Sequence, residues 1–241
     1  MNTELCNFDA VLFDFADTLF DSRSALLPDV MAQHCADLGM RAAPEDCERW
    51  IEQILAYVAT PQGQARMQSC DYSPDLHRAS WNAVVHACKG IPPAFAQPFY
   101  GVFCNAELWR PFPDCEAVLR TLRIAGIATG IVSNIGWDIL PCLAANRMTG
   151  LVDTVVQSFR AGRLKPDGEM FLTVLRNLRI EPARALMVGD NWRTDGAAAA
   201  VGIATLVLPM SPANRRLRGL DIVLRTAGIE LLLRESCATP G

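Results

Sequence analysis

Short apolar runs, each followed at once by a polar residue, constrain the fold of this chain more than any other feature of its sequence. Ala10–Phe13 is followed by Asp14, and residues 128–132 are followed by Ser133. Runs of this length and composition are typical of buried parallel strands, and stretches with helical spacing separate them. We therefore predict an α/β fold in which a doubly wound parallel sheet forms a Rossmann-like core.

The remainder of the core continues the alternation of strand and helix. Further strands are predicted at 154–157, 185–188, 204–208 and 222–224. Helices are predicted at 114–124, 135–146, 169–178, 196–201 and 229–234. Polar residues at the carboxyl ends of such strands meet at one edge of the sheet, which is where ligands bind in folds of this kind.

Between the first strand and the rest of the core, the sequence has helical spacing alone. Apolar positions recur with a helical period over 26–38, 47–58 and 76–88, and breaks fall at 44, 61–63, 73–74 and 90–93. This pattern predicts an all-helical cap inserted into the α/β core. The predicted domains are a catalytic core of residues 1–21 and 106–241 and a cap of residues 22–105.

Composition narrows the class of protein. The chain has 241 residues, a net charge of −4 and no basic run, so nucleic-acid binding has no support. Its amino terminus lacks the features of a signal peptide, and no apolar stretch reaches the roughly 18–20 residues of a membrane span. The nine cysteines form no C-x-x-C pair and indicate reduced thiols. We therefore expect a cytoplasmic monomer or homodimer whose partner is a small molecule.

Four groups of polar residues at the predicted strand ends carry the chemistry. They are Asp14 with Thr18, Ser133-Asn134, Lys165-Pro166, and Gly189-Asp190 with Asp195. A carboxylate can attack phosphorus and form an acyl phosphate. A hydroxyl and an ammonium can hold the non-bridging oxygens, and further carboxylates can hold Mg²⁺. Only two of the 22 basic residues are lysines, so a lysine at a motif position is informative.

In their order and spacing these motifs resemble the haloacid dehalogenase-like hydrolase superfamily, specifically the members with a helical cap after the first motif. The resemblance extends over almost the whole chain. It implies that Asp14 is the covalent nucleophile and that Lys165 neutralises the charge of the nucleophile and the substrate. It also implies that Thr18 and Ser133 contact the transferred group.

The same resemblance implies a Mg²⁺ site and residues beside the substrate. The implied metal ligands are Asp14, the backbone carbonyl of Ala16, Asp190 and Asp195. Asn134 and Asp17 are implied as substrate-binding residues. The favoured function is therefore a Mg²⁺-dependent phosphatase that acts on a small phosphorylated metabolite.

Ala16 departs from the pattern of the phosphatases that this chain resembles. Those enzymes have a second aspartate at this position, which protonates the leaving group. Asp17 is the next residue, but a shift by one residue in an extended segment turns the side chain to the opposite side. General acid–base catalysis contributes about 10²–10⁴-fold. Alkyl phosphates are therefore expected to react slowly unless another group, such as Asp17 or a cap histidine, supplies the proton.

Three other functions remain open at the level of sequence. A 2-haloacid dehalogenase tolerates Ala16, because a halide leaves without a proton, although the retained Asp190 and Asp195 count against it. A phosphonoacetaldehyde hydrolase also has alanine at this position, but it requires a cap lysine, for which Lys89 is the only candidate. The last alternative is a binding protein whose catalytic activity has decayed.

Overall fold

The structure, a computed structural model, describes residues 8–211 and 217–229. Its strands are β1 (Ala10–Phe13), β2 (Phe20–Asp21), β3 (Arg110–Pro111), β4 (Ala128–Ser133), β5 (Thr154–Gln157), β6 (Ala185–Gly189) and β7 (Ala204–Val207). Five of them form one parallel sheet in the order β5-β4-β1-β6-β7. The predicted parallel α/β core is thus confirmed, and β1 lies at its centre.

The described part of the chain contains ten α-helices. They are α1 (Pro28–Asp37), α2 (Pro44–Val58), α3 (Pro61–Met67), α4 (Pro74–Ala87), α5 (Ala96–Phe103), α6 (Cys115–Ile124), α7 (Leu140–Ala145), α8 (Ser158–Ala161), α9 (Gly168–Leu178) and α10 (Asp221–Thr226). Short 3-10 helices lie at Cys70–Tyr72, Pro93–Phe95, Thr149–Leu151, Pro182–Arg184 and Gly196–Val201. The first five α-helices all lie between β2 and β3, as the predicted helical insertion requires. In the described part of the chain, none of the helices has the length and apolar character that crossing a bilayer needs.

The central strand is buried on both faces of the sheet. Val11 and Phe13 pack into the apolar cluster on one face, and Ala10 and Leu12 pack into the cluster on the other. None of these four side chains is exposed, which accounts for the continuous apolar run in the sequence. The inserted helices bury a third cluster of their own. The domain limits 1–21, 22–105 and 106–241 stay a prediction.

The inserted segment joins the core through a two-stranded antiparallel ribbon. In this ribbon β2 pairs with β3, so that Phe20 lies opposite Pro111 and Asp21 lies opposite Arg110. The chain therefore leaves the core and returns to it at neighbouring points. Sequence periodicity did not predict the ribbon, because each of its strands has only two residues.

One predicted strand is wrong, since residues 222–224 lie in α10 and not at an edge of the sheet. The carboxylate of Asp114 accepts hydrogen bonds from the N–H groups of Gly219 (2.7 Å) and Leu220 (2.8 Å), which stabilises the start of this helix. A short apolar run does not distinguish a strand from the buried face of a helix. The predicted helix at 229–234 lies almost entirely outside the described residues.

The predicted helix at 135–146 is confined to α7. Its first part is a loop whose N–H groups are bound by the neighbouring segment. Ile135 N–H donates to Ser158 Oγ (2.9 Å), and Ile139 N–H donates to Gln157 Oε1 (2.8 Å). The acceptors of these hydrogen bonds lie 23 and 18 positions later in the chain. Local sequence periodicity therefore does not reveal that this segment is a loop.

Two helices of the insertion were not predicted. Residues 61–63, which we expected to be a break, form the first turn of α3, where the Thr60 side chain accepts a hydrogen bond from Gly63 N–H (3.1 Å). Proline is favourable in the first turn of a helix, so Pro61 begins this helix. The second unpredicted helix is α5. At 196–201 the predicted helix is present as a 3-10 helix.

His77 is buried on α4 in a fixed hydrogen-bonding arrangement. Trp81 Nε1–H donates to His77 Nε2 (3.0 Å), and His77 Nδ1 lies 3.0 Å from the Tyr100 hydroxyl. An indole nitrogen only donates, so Nε2 carries a lone pair and the ring is neutral. Burial lowers the pKa of His77 to about 4.

Acidification is therefore expected to destabilise the protein through His77. The unfolded chain takes up a proton near pH 6.5, whereas the folded protein resists it until about pH 4, so stability is lost as the pH falls between these values. The full loss is roughly 3 kcal/mol. Urea unfolding of His77→Gln at several pH values should show a weaker acid dependence than wild type. The control is His86→Gln, at an exposed position of the same helix, and equal acid dependence in all three proteins would contradict the prediction.

Gly189 ends β6 and packs directly against Asp195. A Cβ atom on Gly189 would overlap the Asp195 carboxyl group, whereas at Gly196 the nearest atom, Trp192 Cβ, would be 4.0 Å away. Gly189→Ala should therefore displace the buried Asp195 and lower the free energy of unfolding by about 1–3 kcal/mol. Gly196→Ala is the matched control and should change it by well under 1 kcal/mol. Denaturant unfolding of both variants checks this, and equal stabilities would refute it.

Candidate active site

Asp14 follows β1 directly and stands at the middle of the carboxyl edge of the sheet. Its N–H donates to Val188 O (2.9 Å), which extends the pairing between β1 and β6 by one residue. The side chain is 11% exposed, so it retains a small opening at this edge. The central strand thus fixes the backbone from which this carboxylate projects.

Lys165 contacts Asp14 from a loop that precedes α9. Its Nζ donates to Asp14 Oδ1 (2.7 Å), Asp195 Oδ1 (2.6 Å) and Val132 O (2.9 Å). All three ammonium protons are therefore used, and the side chain is buried. One cation joins the ends of β1 and β4 to the segment after β6.

Asn134 holds the backbone of Lys165. Its Oδ1 accepts from Lys165 N–H (2.7 Å), and its Nδ2 donates to Lys165 O (2.9 Å). The two bonds fix the loop on both sides of one residue, from a strand end that lies 31 positions earlier. In this structure Asn134 positions Lys165, and its assignment to the substrate stays a prediction.

Asp14, Asp190 and Asp195 form a cluster of carboxylates whose oxygens lie within 4.8 Å of one another. Asp195 has no exposed surface, and its Oδ2 accepts from Asn191 N–H (3.0 Å) while its Oδ1 accepts from Lys165. Among the described residues, no hydrogen bond to the Asp190 carboxylate is found. Asp190 is therefore freer to bind a ligand than Asp195.

Negative charge exceeds positive charge in this cluster. Burial raises the pKa of Asp14 to about 6, with a further increase from Asp195 and an opposing decrease from Lys165. Burial also raises the pKa of Asp190 to about 7, together with the charges of Asp14, Asp195 and Asp17. For Lys165 burial acts against the ammonium, but Asp14 and Asp195 outweigh it and raise its pKa.

This donor set fits a hard divalent cation. Three carboxylates and one ammonium leave a formal charge of −2 when all are ionised, and oxygen ligands are those that Mg²⁺ prefers. Asp14 and Asp190 could bind such an ion directly, and Asp195 could support them. The fourth predicted ligand is the Ala16 carbonyl. Ala16 lies in the loop after Asp14 and forms an isolated β-bridge with Phe20.

Asp17 adopts a left-handed backbone conformation (φ 57°) and turns its carboxylate towards the ribbon. Its Oδ1 accepts from Ser22 Oγ (2.8 Å) and Ser22 N–H (3.2 Å). It lies outside the carboxylate cluster formed by the described residues. Its contact with substrate stays a prediction, and its charge contributes to the raised pKa of Asp190.

Thr18 and Ser133, which are implied to contact the transferred group, lie in segments at the carboxyl ends of the neighbouring strands β1 and β4. Both are buried, Thr18 in the loop after β1 and Ser133 at the end of the neighbouring β4. The Thr18 hydroxyl has no hydrogen-bond partner among the described residues. Buried hydroxyls rarely lack a partner, so this oxygen is available to a ligand.

The cap histidines, Lys89 and the tryptophans differ widely in burial. His77 and Trp81 are buried in the cap, and His86 and Lys89 are exposed. Trp137 packs on Trp109 with ring centroids 5.3 Å apart. Trp192 is 70% exposed.

Arg218 is a buried residue beside the site that sequence reasoning missed. Its Nε donates to Asp17 O (2.7 Å), its Nη2 donates to Leu208 O, and its guanidinium lies over the Phe112 ring. It therefore supports the turn that follows the nucleophile. No motif marks it, because it is one of 20 arginines and approaches from the far end of the chain.

The amino-acid sequence of this chain is similar to those of several known proteins. The chain is 28% identical to a phosphoglycolate phosphatase of Xylella fastidiosa over 82% of this chain and 78% of that protein. It is 34% identical to a glyceraldehyde 3-phosphate phosphatase of Methanothermobacter thermautotrophicus over 77% of this chain and 78% of that protein. It spans about half of haloacid dehalogenase-like hydrolase domain-containing protein 3 of Bos taurus, at 29% identity over 54% of each chain.

A solved structure shows the same fold. A defluorinating L-2-haloacid dehalogenase superposes with a TM-score of 0.63 at 21% identity, over 89% of this chain and 83% of that one. The family model of the haloacid dehalogenase-like hydrolases matches residues 8–202, which include β1, the helical insertion and the whole carboxylate cluster. The chain therefore belongs to the haloacid dehalogenase-like hydrolases.

Proposed function

We propose that this protein is a Mg²⁺-dependent phosphatase that hydrolyses a small phosphorylated metabolite through an aspartyl phosphate on Asp14. The observation that carries the proposal is the buried contact of Lys165 with Asp14 and Asp195, beside an Asp190 carboxylate that accepts no hydrogen bond from the described residues. Two relatives named as phosphatases, matched over more than three quarters of their length, support the choice of substrate class.

Each residue of the site has a separate role in the proposed reaction. Asp14 attacks phosphorus, and the bond from phosphorus to the leaving oxygen breaks. Thr18 and Ser133 hold the oxygens of the transferred group, and Lys165 neutralises the charge of the nucleophile and the substrate. Mg²⁺ held by Asp14, Ala16 O, Asp190 and Asp195 would offset the repulsion between the anionic nucleophile and the anionic substrate.

Dehalogenation of a 2-haloacid is the second candidate, and Ala16 is the observation that favours it. A halide needs no proton to leave, so alanine at this position carries no cost. However, a carboxylic acid substrate is singly charged and gives no reason for a third carboxylate at Asp190. Dependence on a divalent cation separates the two functions.

Hydrolysis of a C–P bond through a Schiff base is disfavoured by the position of Lys89. This lysine is exposed just beyond the carboxyl end of α4, while His77 near the start of α4 packs on the core at Gly136. The ten residue steps from His77 to Ala87, the end of α4, already span about 15 Å at the rise of an α-helix. A binding protein without activity is the remaining alternative, and any turnover would exclude it.

Asp14→Asn should abolish phosphate release, because the amide is nearly isosteric with the carboxylate but is a poor nucleophile. A loss of about 10³-fold or more is expected. The measurement is release of inorganic phosphate from a panel that includes 4-nitrophenyl phosphate, 2-phosphoglycolate and glyceraldehyde 3-phosphate. Asp9→Asn is the matched control, because Asp9 lies before the same strand and pairs with Arg184 on the surface. Wild-type rates in Asp14→Asn would exclude the proposed nucleophile.

Exhaustive treatment with EDTA should remove phosphatase activity, and added Mg²⁺ should restore it, since the cluster lacks positive charge. Isothermal titration calorimetry of the metal-free protein should show one Mg²⁺ site, weakened about tenfold or more in Asp190→Asn. If chelated protein keeps full activity and releases halide from 2-haloacids, the dehalogenase function replaces the phosphatase function.

A further inference from the structure

Because position 16 is alanine, the proposed reaction needs a proton donor from elsewhere in the protein. The candidates are the carboxyl groups and histidines near the carboxylate cluster. Asp17 is bonded to Ser22 through the Oδ1 atom of its carboxylate. His77 is neutral, and Trp81 and Tyr100 engage both of its ring nitrogens. Both groups that the sequence suggested are therefore engaged in hydrogen bonds within the protein.

Asp138 lies in the loop that follows Ser133-Asn134. Its environment stabilises the ionised form of its carboxylate. Its carboxylate accepts hydrogen bonds from Leu140 N–H (3.1 Å), Gln157 Nε2 (3.1 Å) and Arg160 Nη2 (2.9 Å). Burial alone would raise the pKa of Asp138, but these bonds outweigh it and lower the pKa. A carboxylate of this kind stays ionised and does not serve as an acid.

Asp71 is the carboxyl group that the inserted segment brings to the core. It lies in the 3-10 helix Cys70–Tyr72, and its backbone O accepts a hydrogen bond from Ser158 Oγ (2.7 Å). The same Ser158 Oγ accepts from Ile135 N–H (2.9 Å). Asp71 is thereby fixed against the loop that begins directly after Ser133.

The carboxyl group of Asp71 lies beside His77 and near Gly136 N–H, in a setting that favours a proton. The side chain is 24% exposed, lies 3.9 Å from His77 Nε2, and is close enough to Lys165 to be influenced by its charge. Burial raises the pKa of Asp71, and the Cys70 thiol, Gly136 N–H and Lys165 reduce that increase without cancelling it. A carboxyl group that binds a proton more strongly than usual, beside the site of charge transfer, suits a general acid.

We propose that Asp71 is the catalytic acid–base residue of this enzyme and takes the place of the carboxylate missing at position 16. This inference rests on the proposed phosphatase function. In the first step Asp14 Oδ bonds to phosphorus, the bond to the leaving oxygen breaks, and the Asp71 proton passes to that oxygen. In the second step the Asp71 carboxylate takes a proton from water, the water oxygen bonds to phosphorus, and the bond to Asp14 breaks to give inorganic phosphate.

The test compares Asp71→Asn with wild type on aryl phosphates that differ in the acidity of the leaving phenol. Single-turnover release of the phenol isolates the first step. In Asp71→Asn, release from phenyl phosphate should fall by about 10²-fold or more, because phenoxide needs the proton. Release from 4-nitrophenyl phosphate should fall by less than about tenfold, because 4-nitrophenoxide leaves unaided. This retained activity also shows that the variant is folded.

Asp75→Asn is the matched control, since it makes the same change at an exposed position four residues along the cap. It should leave both rates within about twofold of wild type. The rate with phenyl phosphate in wild type should also fall at high pH as Asp71 loses its proton, and Asp71→Asn should lack this limb. His77 is neutral and Lys165 keeps its charge over this range, so neither accounts for the limb.

Three results would overturn the inference. An equal loss with both substrates in Asp71→Asn would show a structural role for Asp71, with the phosphatase function intact. Unchanged rates with both substrates would show that another group donates the proton. If wild type releases neither phenol while halide release is observed from 2-haloacids, the proposed function fails and the role of Asp71 fails with it.

Discussion

The ammonium of Lys165, buried between Asp14 and Asp195, is the interaction on which the rest of the site depends. A buried ion pair gains little over apolar packing, but loss of one partner leaves an uncompensated buried charge and costs about 3–5 kcal/mol. Here the same cation also binds the end of β4 through Val132 O. Asn134 fixes its backbone. Removing the cation would therefore free the ends of three chain segments and leave two carboxylates facing each other.

The single positive charge of Lys165 does not neutralise the three carboxylates of this cluster, and the excess negative charge determines which ligands the site can bind. Asp190 adds a charge that Lys165 does not contact, and it takes up a proton more readily than an ordinary aspartate. A site of this kind suits a divalent ion, which would offset the repulsion between the carboxylates and an anionic substrate. The strand ends supply a fixed frame for both, because the sheet holds the backbone at Asp14.

The sequence predicted the sheet and the carboxylate cluster well, because both depend on local signals: apolar runs mark the strands, and motif residues follow their ends. It predicted the insertion as helical but missed α3 and α5, and it placed a strand where Asp114 stabilises α10. Asp71 could not be found in this way. Its place is set by a bond to Ser158, 87 positions away, and a residue of the cap is located only when the packing of the cap is known.

The ribbon of β2 and β3 has a consequence for how such proteins diversify. Asp21 and Arg110 lie opposite each other, so the two ends of the 88-residue stretch between them are neighbours in space. To the core, that stretch is equivalent to a long surface loop, and loops whose ends are adjacent tolerate replacement by segments of other lengths. A lineage can therefore exchange the whole insertion while the sheet and its carboxylates keep their register.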